Sequence, residues 1–182
     1  KLPITLKRPC GKITIPPDGG NALISKLVQT KSTLMGVSDA SLKDGNCSHS
    51  WIISTGQTSD LDNENLTIRG SGAVDGDAAD LSIGRGELQG QTALAIITST
   101  LLHTYNATDT PVKFYGDNQG IQNKCKKIPI KKLKQHREPN MDLWLEYRDA
   151  TKNLCTNAEW VRSHQDNNRP WTNLKDLEAM KL

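Results

Sequence analysis

The sequence predicts an α/β domain with five strand-like segments and helices among them. Three observations carry this. Residues 34–39 alternate, with Met35, Val37 and Asp39 on one side, as a strand places them. Residues 87–105 repeat Ala93, Leu94, Ile97 and Leu101 at helical spacing. Residues 111–117 then return to a strand pattern, with Val112 and Phe114 facing together. Strands that alternate with helices in this way build layered α/β domains.

The elements follow in order. Residues 1–33 are rich in Lys, Pro, Gly and Thr. Pro16-Pro17 and Gly19-Gly20 break any long element, and only 22–28 suits a short helix. The expectation is an arm or linker over 1–33, from an upstream domain, and one domain over 34–182. Asp44-Gly45 is a strong hairpin signal between the first strand and a second over 47–55, around Trp51, Ile52 and Ile53. A polar loop covers 56–65. A third strand over 66–74 is weakened by Gly70 and Gly72. An acidic loop at 75–86 leads to the long helix. Glu87 lies seven residues before Leu94, on nearly the same stripe, so it is expected as an inward carboxylate in the first turn. There the helix N-terminus would favour its ionised form.

Beyond the strand at 111–117, residues 118–124 read as a short helix. Residues 124–137 are strongly basic, with apolar residues interleaved. A helix over 141–154 follows from Leu143, Leu145, Tyr147 and Ala150, and a strand over 158–163 from Trp160 and Val161. The remainder is turn-like at 167–171 and then helical.

The 182 residues suffice for one domain with a real core and an appended arm. Aromatic residues make up only 4%, a lean supply for that core. The 23 Lys and Arg nearly balance 20 Asp and Glu, so net charge alone does not diagnose a nucleic-acid partner. No stretch is long and apolar enough for a transmembrane helix. Cys10, Cys47, Cys125 and Cys155 are scattered without a C-x-x-C pair, which argues against zinc and a disulfide framework. They read as free thiols in a reducing compartment, hence an intracellular setting, cytoplasm or nucleus. The chain starts at Lys1 and not Met, and is expected to be a fragment, either of a longer polyprotein or of a recombinantly trimmed protein.

Three acidic motifs carry the chemistry: Gly-Val-Ser-Asp39-Ala-Ser, Gly-Glu87-Leu-Gln-Gly and Phe-Tyr-Gly-Asp117-Asn-Gln. Each carboxylate is expected at an element end, where the three can converge and hold a divalent metal. Singly, each has a plainer reading. An Asp after a strand is usually a turn former or cap, and Glu87 alone is a dipole partner. Together, in this order and on these element types, they are much more specific.

From these motifs the chain resembles a type 1 ribonuclease H domain of the kind attached to reverse transcriptases in retroelements. "SDAS…DGNCSHSWII" is similar to the family's first hairpin and "GELQGQTALAI" to its Glu-bearing helix. "VKFYGDNQGI" is similar to the strand-Asp-helix step, and "AEWVRSHQD" to the last strand and His loop. The likeness runs from about residue 34 to about 166.

The resemblance implies a five-stranded mixed sheet flanked by helices, with a three-strand antiparallel meander and two parallel additions. It implies that Asp39, Glu87 and Asp117 bind two Mg²⁺ ions, or Mn²⁺ in their place. A carboxylate set without His or Cys suits such ions and not zinc. Two ions roughly 4 Å apart serve the attacking and the leaving oxygens of phosphodiester hydrolysis. His164 is implied near the scissile phosphate, assisting proton transfer or product release. The pattern departs at the fourth carboxylate. Asp176, with Asn173 three residues before it, Asp166, and a residue beyond Leu182 all stay open.

The basic run matches the handle with which some members grip their substrate, so Lys126, Lys127, Lys131 and Lys132 are expected on phosphates. A solvated face is the plainer reading. Asn118 and Gln119 are placed to reach the minor groove, where RNA shows its 2′-hydroxyls, or to cap a helix. The implied activity is hydrolysis of the RNA strand of an RNA–DNA hybrid, with a reverse transcriptase upstream in the same polypeptide. Its rivals are a non-catalytic nucleic-acid-binding remnant and a DNA-cutting nuclease of the wider superfold.

Overall fold

The computed structural model describes residues 9–77, 79–127 and 139–162. Strand β1 (Lys12–Thr14) and helix α1 (Asn21–Thr30) come first. The hairpin β2 (Leu34–Lys43) and β3 (Asn46–Ser54) and the strand β4 (Ile68–Ala73) follow. The long helix α2 (Ile83–Thr104) leads to β5 (Val112–Gly116) and the short helix α3 (Gln119–Cys125). Helix α4 (Met141–Thr151) and strand β6 (Thr156–Trp160) complete the described chain.

The strands form one mixed sheet in the order β1-β4-β3-β2-β5-β6. β1 to β4, β4 to β3 and β3 to β2 are antiparallel, while β2 to β5 and β5 to β6 are parallel. The meander and the two parallel additions are as expected. The sheet has six strands and not five, and the sixth comes from the segment expected as an arm. Ile13 pairs with Gly70 at the sheet edge. Leu23, Ile24 and Leu27 of α1 join the main core, at 5% exposure or less. Asp18 makes this possible despite the surrounding Pro and Gly. Its carboxylate accepts the Gly20 and Ala22 N–H groups at 2.9 and 2.7 Å, capping the start of α1. Lys26 reaches from α1 to the buried Asp60 at 2.6 Å. Burial pushes the Asp60 carboxyl up, but hydrogen bonds from Lys26 and Thr55 and the Lys26 charge outweigh it and hold the group below its ordinary value.

The hairpin turn has Asp44 and Gly45 both at positive φ, 50° and 76°. That geometry matches strand twist, so pairing persists to Lys43 opposite Asn46. Asp39 therefore lies within β2, opposite Ser50, and not at a strand end as expected.

One face of the sheet packs under α2. Two glycines one turn apart allow a very close approach. A Cβ on Gly86 would lie 2.8 Å from Ala40 Cβ, and one on Gly90 2.9 Å from Ser38 Cβ. The other face carries a small cluster of Met35, Tyr115 and Val161 with Val37 beside it. Cys10, Cys47 and Cys125 are buried, Cys155 is exposed, and all are free thiols. Among the described residues no helix is long and apolar enough to cross a membrane.

Leu27→Ala is expected to cost about 2–5 kcal/mol, the usual range for emptying a buried leucine site. Urea unfolding measures it. A midpoint equal to that of the wild type would show that α1 adds nothing to the core.

Candidate metal centre

β2 and β5 run parallel, and their pairing ends at Val37 opposite Tyr115. Asp39, still within β2, and Asp117, just past the end of β5, each lie two residues further. Asp117 thus sits just past the carboxyl end of β5, where α/β sheets commonly place ligands, and Asp39 beside it within β2. Glu87 arrives from above, because Gly86 and Gly90 let α2 settle onto β2. Its Oε1 accepts the Ala40 N–H at 3.2 Å. Asp39, Glu87 and Asp117 each offer a carboxylate oxygen, and the three atoms lie within 4.8 Å of one another.

Burial differs sharply across the cluster. Asp39 is exposed, Asp117 is half-buried, and Glu87 is only 3% exposed. Glu87 Oε2 is buried with no hydrogen-bond partner. Burial, then the charges of Asp117 and Asp39, push the Glu87 carboxyl up to about 8. This corrects the expectation that the helix N-terminus keeps Glu87 ionised. The helix begins at Ile83, capped by Ser82, so Glu87 lies in the second turn. The dipole fades within the first turn, and desolvation with like charge prevails.

The cluster fits a hard divalent cation. It offers oxygen ligands only, one of them an orphaned buried oxygen, and its mutual repulsion is what a cation relieves. The exposure of Asp39 leaves one side of the cluster open to solvent.

The other expected site residues fare differently. Asn118 caps α3, its side chain accepting the Ile121 N–H at 3.2 Å. Gln119 opens that helix and is exposed, as are Lys126 and Lys127 just beyond it. Lys124, at the head of the basic run, lies over the Trp144 ring at 4.1 Å, a packing contact. His164, Lys131, Lys132, Asp166, Asn173 and Asp176 lie outside the described residues.

Two supports were not anticipated. Arg85, two residues before Glu87, is 7% exposed. It makes a paired bond to Asp142 at 3.1 and 2.6 Å and another to Asn140 at 3.0 Å, tying the start of α2 to α4. Trp160 Nε1 donates to the Asp117 carbonyl at 2.8 Å. Neither pairing has a sequence signature, because each joins residues more than 40 positions apart.

Several solved structures have a similar shape. The RNase H domain of PFV, a foamy virus, is 10% identical, with a TM-score of 0.52 over 82% of this chain and 87% of that one. This chain's fold is ribonuclease H-like. Two further similar structures are RNase H proteins. The N-terminal RNase H domain of a Mycobacterium tuberculosis protein is 12% identical, TM-score 0.49, over 74% of this chain and 85% of that one. RNase H1 from the halophilic archaeon Halobacterium salinarum is 9% identical, TM-score 0.46, over 72% and 87%. No protein-family model matches the sequence, and no curated protein matches it.

The raised Glu87 carboxyl has a consequence for stability. A carboxyl held above its unfolded value contributes stability that is full below about 4.5 and is lost as pH rises through about 8. His49, whose value burial lowers, acts in the opposite sense, so the wild type alone does not isolate the effect. The Glu87→Gln variant does. With chelator present, its thermal midpoint relative to wild type is expected to climb between pH 5 and pH 8.5. A constant difference across that range would show that Glu87 is not the perturbed group.

Proposed function

We propose that this chain is a divalent-metal-dependent endonuclease that hydrolyses the RNA strand of RNA–DNA hybrids. The observation that carries the reading is the convergence of Asp39, Glu87 and Asp117 just past the point where the parallel pairing of β2 and β5 ends, on a ribonuclease H-like sheet. The similar structures bear the name RNase H, which gives the substrate its chemical class.

Asp39, Glu87 and Asp117 would hold Mg²⁺, or Mn²⁺ in its place. The bound cations supply charge where a phosphodiester is attacked and where its leaving oxygen develops. The chain's own contribution is positional. Glu87 is anchored by the Ala40 N–H, so its free oxygen has one direction in which to coordinate. Asp117 is steadied from the neighbouring strand by Trp160 through its carbonyl. The open side at Asp39 admits a phosphate backbone. In this reading the exposed Lys126 and Lys127 would meet phosphates, and the exposed Gln119 the groove edge. The proposal includes His164 as an aid to proton transfer or product release. It also includes a retroelement context, with a reverse transcriptase upstream in the same polypeptide.

The test is cleavage of an end-labelled RNA–DNA hybrid in Mg²⁺, with duplex DNA alongside. The wild type is expected to cut the RNA strand of the hybrid and leave duplex DNA intact. Asp117→Asn is expected to lower the rate by more than the roughly ten- to hundredfold typical of losing an outer-shell partner. Binding of hybrid without cutting by either protein would make the chain a non-catalytic binding domain. Cutting of duplex DNA would move it to the DNA-cleaving branch of the superfold.

A further inference from the structure

Gln91 lies one turn beyond Glu87 on the same face of α2. Its side chain is fully buried, and its Nε2 donates to the Tyr115 carbonyl at 2.8 Å. Gln122 of α3 is 1% exposed and approaches the same place from the far side. Both amides crowd over Gly116, the residue before Asp117. A Cβ there would lie 2.3 Å from Gln122 Nε2 and 2.9 Å from Gln91 Nε2. Gly116 is thus the gap in β5 that admits two amide side chains beneath the metal centre.

This arrangement is expensive for a core. Gln91 Oε1 and both amide atoms of Gln122 are buried without partners. Each unmet polar group of that kind costs about 1–3 kcal/mol, and an apolar side chain of the same length would avoid it. The bond that Gln91 does make joins two particular places. One is the turn of α2 that carries Glu87, and the other is the end of β5 that carries Asp117. On its other side that strand end is held by the Val161 N–H, which donates to the Gly116 carbonyl at 3.1 Å, and by Trp160. When both are ionised the Glu87 and Asp117 carboxylates repel each other, and a link between their backbones resists their separation.

We propose that Gln91, backed by Gln122, is a positioning residue for the metal centre. It ties α2 to the end of β5 so that Glu87 and Asp117 keep the spacing a shared cation needs. The inference rests on the metal-centre reading above. Gln91 touches neither cation nor substrate, and its effect passes through the two ligands.

Gln91→Met keeps the length and apolar volume of the side chain and removes the amide. The thermal unfolding midpoint is followed against Mg²⁺ concentration for the wild type, Gln91→Met and Gln122→Met. Gln91→Met is expected to half-saturate at a Mg²⁺ concentration about tenfold higher than wild type, in the range seen for outer-shell partners. Gln122→Met shifts it in the same direction by less. Hybrid cleavage by Gln91→Met should recover toward the wild-type kcat at saturating Mg²⁺, with KM for hybrid unchanged. Unchanged half-saturation, with only the chelator-state midpoint lowered, would make Gln91 a packing residue and overturn the inference. Should Gln91→Met fail to fold, Gln122→Met decides alone, and its unchanged half-saturation would overturn the inference. A wild type without any saturable Mg²⁺ shift would bring down the metal-centre reading, and the inference with it.

Discussion

The approach of α2 to β2 is the contact on which the rest of the site depends. Two glycines on successive turns remove the side chains that would otherwise hold helix and strand apart. The helix then comes near enough for the Ala40 N–H to reach a carboxylate on it. Glu87 is thereby buried beside two other acids, a position no isolated carboxylate would favour. Everything around the cluster can be read as a response to that placement. A bulkier residue at either glycine would lift the helix and move Glu87 away from Asp39 and Asp117 together.

A buried acid among acids is a strained arrangement with two ways out. The proton is one, and the value of about 8 for Glu87 expresses it. A divalent cation is the other, and it restores the ionised form that its ligands need. The same desolvation that disfavours the empty, ionised cluster strengthens its hold on a cation, since little water competes on the Glu87 side. The exposure of Asp39 keeps the opposite side open to solvent. Buried rear and open front together make the cluster a candidate for chemistry and not only for structure.

Polar struts hold the helix in register against this repulsion. Arg85 ties its start to Asp142 and Asn140 of α4. Gln89, fully buried, accepts the Asp75 N–H at 2.8 Å and so fixes the loop that enters the helix. Gln91 reaches β5. Arg85, Gln89 and Gln91 reach α4, the loop before the helix and β5 respectively, so the turn bearing Glu87 is constrained from several sides. Apolar packing alone is less directional, and would let the helix slide along the sheet at smaller cost.

From residue 34 to residue 160 the sequence by itself determined the element types and their order. The alternation at Met35, Val37 and Asp39, the Asp44-Gly45 turn and the repeat from Ala93 to Leu101 are local signals, and local backbone physics obeys them. The three carboxylates were legible for the same reason, since each sits in a motif whose neighbours declare its element. Local reading failed where distant residues decide. Pro and Gly around 16–20 look like a linker, yet the Asp18 cap and burial of Leu23 and Leu27 make the segment part of the core. The helix start at Ile83 removed Glu87 from the first turn, and tertiary burial set its proton affinity. The partners of Arg85, Gln91 and Trp160 were invisible for a plain reason. A side-chain hydrogen bond across the fold depends on which surfaces meet, and only the packed chain decides that.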